Sequence, residues 1–294
     1  MSALGRPEGE YRSALREGSR VSDLRVFVQG IGLLGPGLAS WAASRAMLSS
    51  ATSYVAGPAL LPAAARLPPA ERRRAGAAIK LALAVADEAV AQAGLDPQHL
   101  ATVFSSSSGE GTHCHALCET MATPAPMVSP TRFTNSVHNA AAGCWHIAVA
   151  SRAPSTSLCA FDASFAAGLL EAATLVRHSQ APVLLVCSDS PYPEPLHAKR
   201  PVPDHFGMAL VLAPAASATS LAALELGLAA PADARSPTLC DNRLLDALRV
   251  AIPAAASLPL MQALARDALA SRLAFALPPT AGLWIALQPV SHAA

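Results

Sequence analysis

Short, fully apolar runs alternate along the chain with longer stretches rich in alanine, and this alternation constrains the fold most. Residues 25–37 are typical of a buried strand that enters a Gly/Pro loop, and residues 183–187 are apolar throughout. A run that is apolar at every position suits a strand covered on both faces of a sheet. Residues 69–93 lie between the two and have the apolar spacing of a long helix. Strand–helix alternation of this kind predicts an α/β sandwich.

The remaining elements follow from the same patterns, and residues 1–24 are set apart from them. We predict further strands at 100–105, 156–161, 208–212 and 283–288, and further helices at 136–152, 162–178, 243–252 and 259–273. Residues 1–24 are polar and charged and lack the apolar core of a signal peptide, so we predict a disordered N-terminal extension.

Composition excludes two broad classes of protein. The 294 residues are 52% hydrophobic and 14% charged, with a formal net charge of +1. Disordered chains need high charge and low hydrophobicity, and nucleic-acid binders that use a basic surface need a clear positive excess. We therefore expect a folded protein that binds no nucleic acid. The scarcity of charge also suggests that a partner covers part of the surface.

Membrane insertion and disulfide bonds are not expected. Residues 206–224 carry no charge, but Pro214 and several Ser and Thr positions favour a strand followed by a loop over a membrane span. The six cysteines lie mostly inside apolar runs, which predicts buried, reduced thiols in a cytoplasmic protein.

Two segments resemble functional motifs but lack residues that those motifs require. Residues 113–118 contain two His and two Cys, but no second pair lies at a suitable distance for structural zinc. The serine run before Gly109 lacks the Gly-x-Ser-x-Gly pattern of a hydrolase, because Ser105 occupies the first glycine position. No Gly-Lys-Ser/Thr follows, so the run is also a poor phosphate loop. We expect neither a metal nor a cofactor.

The segment 153–170, Ala-Pro-Ser-Thr-Ser-Leu-Cys-Ala-Phe-Asp-Ala-Ser-Phe-Ala-Ala-Gly-Leu-Leu, is the most informative part of the chain. A strand enters a tight turn, and the turn begins a small-residue helix. One side chain is thereby exposed at the head of the helix, where the dipole favours an anion and lowers the pKa of a thiol. This is a suitable place for a nucleophile.

This segment resembles the nucleophile region of β-ketoacyl synthases, condensing enzymes of the thiolase superfamily. Three further segments, at 25–36, 81–96 and 206–212, are similar to other parts of the family in the right order. The resemblance implies a thiolase-like layered α/β sandwich. It has an intact first half at 25–213 and a shortened, truncated second half at 214–294.

The chain departs from the family at the positions that carry catalysis. By this resemblance the nucleophilic cysteine falls on Asp162, whereas Cys159 lies three positions early and Cys144 belongs to the preceding helix. The family also takes two histidines, or His and Asn, from its second half, but here only His292 follows His205. A carboxylate cannot hold the acyl thioester that the cysteine holds. We therefore assign no catalytic residue and expect no condensation by this chain alone.

Among family members, one without the nucleophile is most similar to a chain length factor, and in particular to the short chain-length-factor-like proteins of aryl polyene clusters. The resemblance implies a heterodimer with an active β-ketoacyl synthase, with acyl carrier protein engaged through that partner. The implied candidates for the acyl tunnel or the interface are Phe161, Asp162, Ser164, Phe165, Asn139 and Trp145.

Purely structural roles also remain open for these residues. Asp162 is also a favoured helix N-cap, and Trp145, Phe161 and Phe165 suit core packing. His138 and His146 suit buried or interface positions.

Two other functions remain as alternatives to the chain length factor. One is a stand-alone acyltransferase or decarboxylase that uses Asp162 or a nearby Cys, and the other is a purely structural scaffold. For the heterodimer we expect an uncharged partner surface around residues 133–165, and a chain that behaves poorly alone.

Overall fold

The computed structural model describes residues 24–50, 54–229, 236–266, 271–278 and 281–290. Apart from Leu24, the predicted extension at 1–24 lies outside these residues. The described strands are β1 (Leu24–Leu34), β2 (Ala101–Ser105), β3 (Ser155–Leu158), β4 (Val183–Asp189), β5 (Phe206–Ala213), β6 (Ala222–Ala229), β7 (Arg272–Leu277) and β8 (Ala281–Gln288). The described α-helices are α1 (Trp41–Ser49), α2 (Pro69–Arg74), α3 (Ala77–Ala93), α4 (Gly111–Met121), α5 (Pro130–Asn135), α6 (Ala140–Ala148), α7 (Ser164–Ser179), α8 (Leu196–Lys199), α9 (Arg243–Ala251) and α10 (Leu258–Ala265).

These strands form one mixed sheet in the order β3-β2-β4-β5-β1-β6-β8-β7. The β2–β3 and β2–β4 pairs are parallel, and the other neighbouring pairs are antiparallel. The first five strands come from the predicted first half. The three strands of the second half extend the same sheet from β1, so both halves share one α/β layer.

Helices cover both faces of the sheet, as the apolar strands predicted. On one face α7 packs against β4 and β1 and the 3₁₀ helix Pro253–Ser257 packs against β5 and β4, and on the other face α3 packs against β1, β5 and β4. Every residue of β4 and β5 is buried. A strand without a solvent-facing side has no polar alternation, which is why both were visible as continuous apolar runs.

Two glycines of β1 let α3 lie directly on the strand. A Cβ at Gly30 would be 2.0 Å from the carbonyl oxygen of Ala89, and one at Gly32 would be 1.9 Å from that of Val85. No side chain fits in either space, so helix backbone meets strand backbone at these positions.

Several predicted elements differ from the observed ones. The helix at 69–93 is broken at Ala75 and Gly76, and the predicted helix at 136–152 is shortened to α6, which spans Ala140–Ala148. Neither α1, β6 nor β7 was predicted. Residues 206–224 form β5, a turn and the start of β6, as expected for a strand and loop. Nowhere in the described ranges is a helix both long and apolar enough to span a bilayer.

Candidate functional site

The turn between β3 and α7 has a strained backbone. Phe161 lies in the left-handed region with φ of +52°, and residues Phe161–Ala163 form one 3₁₀ turn before α7 begins at Ser164. An aromatic residue in this conformation costs about 1–3 kcal/mol and needs support from its surroundings. The buried hydroxyl of Ser164 supplies part of that support, because it donates to the Phe161 carbonyl (2.7 Å) and accepts from the Ala160 amide (3.1 Å).

Asp162 does not cap the helix, so the N-cap interpretation is wrong. The N-cap position of α7 is Ala163, and no side chain caps it. The 3₁₀ turn places Asp162 ahead of the helix, with its side chain 71% exposed. Its carboxylate accepts a hydrogen bond from Arg200 Nη2 at 2.6 Å instead.

Arg200 also contacts the neighbouring aromatic ring. Its guanidinium carbon lies 3.6 Å from the centroid of Phe161 and 5.9 Å from that of Tyr192. The Phe161 ring is otherwise open, since the residue is 62% exposed. Sequence reasoning missed Arg200, because an arginine in a Pro-rich loop belongs to no periodic pattern.

The other two aromatic candidates are fully buried. Phe165 packs edge-on against Phe275 with ring centroids 5.2 Å apart, in the core beneath α7. Trp145 lies in the core on the α3 side of the sheet. The structure thus places Trp145 in the core, in agreement with the core-packing interpretation.

A cleft of about 220 Å³ opens beside the turn. Asp162 and Phe165 line it from the turn and α7, and Arg249, Val250 and Phe275 line it from the second half of the chain. Arg249 is paired with Asp246 at 2.6 Å, so its charge is already balanced.

A wider cleft of about 480 Å³ lies between α6 and β3. His138, Asn139 and His146 line one side of it, and Ser155 and Ser157 line the other. Asn139 is exposed at the N-cap position of α6 and makes no side-chain cap. The structure therefore brings Asn139 and both histidines to the edge of the sheet, and leaves Phe161, Asp162, Ser164 and Phe165 together at the turn.

Strand β3 is the edge of the described sheet and pairs with β2 on one side only. The carbonyls of Pro154 and Leu158 accept hydrogen bonds from the amides of Thr102 in β2 and of Ser106, just after it, at 3.0 and 3.2 Å. Backbone groups alternate in direction along a strand, so Ser155 and Ser157 direct their N–H and C=O groups to the open side. These groups are free to pair with another strand.

Exposed apolar side chains occur in the segments that precede and follow β3 in the chain. Phe133, Val137, Ile147 and Phe161 are all exposed, and together with β3 we call them the apolar face. Within 133–165 only Arg152 and Asp162 carry a formal charge. The face agrees with the uncharged surface expected in this region, because four large apolar side chains are exposed there.

The cysteines are free but not all buried. Cys114, Cys118 and Cys159 are exposed, which corrects the expectation of buried thiols, whereas Cys144, Cys187 and Cys240 are buried. Burial raises the pKa of Cys144 to about 11 and that of Cys240 to about 12, and it raises the pKa of Cys187 well above the usual value. None of the three buried thiols is placed to act as a nucleophile.

We expect iodoacetamide to alkylate Cys118 and Cys159 about 100-fold or more faster than Cys187 and Cys240, because the buried pair is inaccessible and holds little thiolate. Peptide mass spectrometry over time at pH 7.5 measures the rates, and the same reaction in urea is the control in which all six cysteines react. Rapid modification of Cys187 in the folded chain would contradict the described packing.

A buried carboxylate ties the sheet to the second half of the chain. Asp189, at the end of β4, is 2% exposed. Its Oδ1 accepts from Ser106 Oγ, Ser107 N and Ser107 Oγ, and its Oδ2 accepts from Ala254 N at 2.9 Å. Burial raises the pKa of Asp189, and these hydrogen bonds partly offset the rise. A charged residue directly after an apolar strand was the signal that sequence reasoning overlooked.

The His/Cys segment at 113–118 lies on α4, and its two histidines lie next to different carboxylates. His113 Nδ1 is 3.3 Å from Glu110, and His115 Nε2 is 3.2 Å from Glu119. Over the described part of the chain no three His, Cys, Asp or Glu side chains converge as a metal site would require.

Comparison with known proteins gives one family and a set of similar structures. The family model described as "Beta-ketoacyl synthase, N-terminal domain" matches residues 40–252, which is more than half of the chain. No curated protein sequence matches the chain.

Three solved complexes contain chains of the same fold. A chain of the complex of a ketosynthase (ApeO) with its chain length factor (ApeC) from Xenorhabdus doucetiae has a TM-score of 0.65 and 22% identity, over 88% of this chain and 98% of that one. A chain of the ishigamide ketosynthase/chain length factor has a TM-score of 0.66 and 16% identity, over 90% and 99%. A chain of the AntDE:AntF complex, a type II ketosynthase with its acyl-carrier protein, has a TM-score of 0.66 and 12% identity, over 90% and 99%.

Proposed function

Because the chain belongs to the β-ketoacyl synthase family, we propose that it is a non-condensing, chain length factor-like subunit. It pairs with an active β-ketoacyl synthase and shapes the tunnel that holds the growing acyl chain in polyene or polyketide biosynthesis. The main support for this proposal is the turn after β3, where an ion-paired Asp162 and a strained Phe161 occupy the place that suits a nucleophile.

The chemistry of this turn supports a silent subunit. Acyl transfer in the family needs a nucleophile that can form a thioester, and a carboxylate held by Arg200 is not one. Cys159, the nearest thiol in sequence, points its Sγ towards the carbonyl of Ser107 at 3.5 Å. After His205 the sequence contains only His292, so the second half offers no pair of histidines.

The apolar face supports a protein partner of the same fold. An open strand edge can continue a sheet into a second molecule, and apolar side chains beside it bury area without the cost of desolvating charge. The similar structures are complexes in which a ketosynthase is paired with a chain length factor. We place the ketosynthase on this face, the acyl carrier protein on the ketosynthase, and the complex in the cytoplasm.

Phe161 is the proposed wall of the acyl path, because its ring is exposed at the turn directly after the edge strand β3. Close-packed walls do not yield to extra methylene groups without cost, so the volume at this position limits the chain that fits. Asp162, Ser164 and Phe165 support that wall from the turn and the first turn of α7.

Co-expression with a ketosynthase from the same genome tests the proposal. We expect a soluble 1:1 complex, and we expect Phe161→Ala to lengthen the products and Phe161→Trp to shorten them, as read by mass spectrometry. Leu239→Ala is the matched control, because Leu239 is equally exposed but lies outside the apolar face.

Two outcomes favour the alternatives instead. If the ketosynthase makes the same products at the same rate without this chain, the proposed function is wrong. If it needs the chain but ignores every Phe161 variant, the chain is a scaffold. Turnover of malonyl-carrier protein by the chain alone, lost in Asp162→Ala, identifies a stand-alone enzyme.

A further inference from the structure

Arg200 makes two side-chain contacts with consecutive residues of the strained turn. The face of its guanidinium lies over the Phe161 ring at 3.6 Å, and its Nη2 donates to Asp162 at 2.6 Å. Only a planar group with donors along its edge can stack on a ring and bind a carboxylate at the same time. The side chain of Arg200 is 19% exposed, so the contacts are partly shielded from water.

Arg200 reaches the turn from a different part of the chain. It lies at the C-terminal end of α8, in the connection between β4 and β5, where its amide donates to Leu196 O at 2.9 Å and its carbonyl accepts from Val202 N at 3.0 Å. The backbone that carries the guanidinium is therefore held independently of the turn. The hydroxyl of Ser164 fixes the backbone of Phe161, which leaves the exposed ring to be held by Arg200.

We infer that Arg200 is a positioning residue that fixes the Phe161 ring and thereby sets the length of the acyl product. This inference rests on the proposed function, in which Phe161 is the wall of the acyl path. Without the guanidinium, a ring that is mostly exposed has several rotamers open to it. The wall then loses its definite position, and a broader range of product lengths results.

Four variants of the chain, each co-expressed with its ketosynthase, separate the two contacts. Arg200→Ala removes both, Arg200→Lys keeps a charge for Asp162 but loses the planar face, and Asp162→Asn keeps the stacked ring while removing the ion pair. Arg177→Ala is the matched control, since Arg177 is exposed near the far end of α7. We expect both Arg200 variants to change the ratio of the two main product lengths by about two- to fivefold, the range that an exposed cation–π contact corresponds to. We expect Asp162→Asn to change it less and Arg177→Ala not at all.

A second measurement follows the ring itself. With 4-fluorophenylalanine incorporated in the complex, the ¹⁹F resonance of Phe161 is identified by its loss in Phe161→Leu. We expect that resonance to shift in Arg200→Ala and Arg200→Lys, and to stay close to its original position in Asp162→Asn. The complex yield in each case shows whether the variant has folded.

The outcomes distinguish this inference from the function on which it rests. If Phe161→Ala alters product length while the Arg200 variants leave both length and resonance unchanged, the inference is wrong and the proposed function stands. If Arg200→Lys behaves like the unmodified chain, the planar contact is unnecessary and the inference is also wrong. If no Phe161 variant alters product length, the proposed function fails and this inference fails with it.

Discussion

Replacing Ser157 by proline is expected to weaken binding of the ketosynthase about 100-fold. The change removes an N–H that points to the open side of β3 and places a proline ring in the path of an incoming strand. A lost backbone hydrogen bond and a steric clash together cost about 3 kcal/mol, which corresponds to that factor. Binding is measured by surface plasmon resonance or by the yield of co-purified complex.

The control for this variant is Ser157→Ala, which removes the hydroxyl but keeps the N–H. Because the backbone of β3 bonds to β2 through Pro154 and Leu158, proline at 157 leaves those bonds in place, and the melting temperature of the chain should change little. Full binding by Ser157→Pro would show that the partner does not use the edge of β3.

Removing the carboxylate of Asp189 is expected to cost about 3–5 kcal/mol in the free energy of unfolding. Asp189→Ala strands the buried amides of Ser107 and Ala254, and each unsatisfied buried donor costs about 1–3 kcal/mol. The variant also cuts the connection between β4, the serine run and the 3₁₀ helix Pro253–Ser257. Urea unfolding, followed by the fluorescence of the three tryptophans, measures the loss.

Asp189→Asn is a sharper variant of the same experiment. The amide keeps one acceptor for the serine donors, but its NH₂ then faces the Ala254 amide or the serines, so that donor opposes donor. We expect the free energy of unfolding of Asp189→Asn to lie between that of the unsubstituted chain and that of Asp189→Ala. Equal stability of all three proteins would mean that the carboxylate does not hold these segments together.

The elements that were predicted well are those whose local pattern follows from their burial. Strands β4 and β5 have no exposed side, so their residues are apolar except for Ser188 and Asp189 at the end of β4. Strand β7 has buried Leu273 and Phe275 between less buried neighbours, and a short alternation of that kind is not distinctive in an alanine-rich sequence. The helix at 69–93 was recognised, but its break at Gly76 was not.

At the candidate site, sequence located the turn but not the contacts that define it. The change from strand to small-residue helix is a local feature, and it placed Phe161, Asp162 and Ser164 at this turn. Which side chain stabilises the turn depends on whether the backbone there is α-helical or 3₁₀. Because it is 3₁₀, Ser164 rather than Asp162 bonds to the backbone of the turn. Arg200 is 38 residues from Asp162 in the chain, so no local pattern could have paired them.

The position of β1 in the sheet has a consequence for how the chain folds. This strand is the first described part of the chain, yet its neighbours are β5, where Gly207 pairs with Leu34, and β6, where Leu226 pairs with Leu24. Pairings between such distant residues form slowly, because a long loop must close before any contact is gained. During synthesis β1 therefore remains without its neighbours until about two thirds of the chain has been made. Over that whole period both edges of β1 lack partners, although α3 is made early enough to cover one face of the strand. Open strand edges favour aggregation, so the yield of folded subunit should depend on translation speed and chaperone supply as well as on the partner.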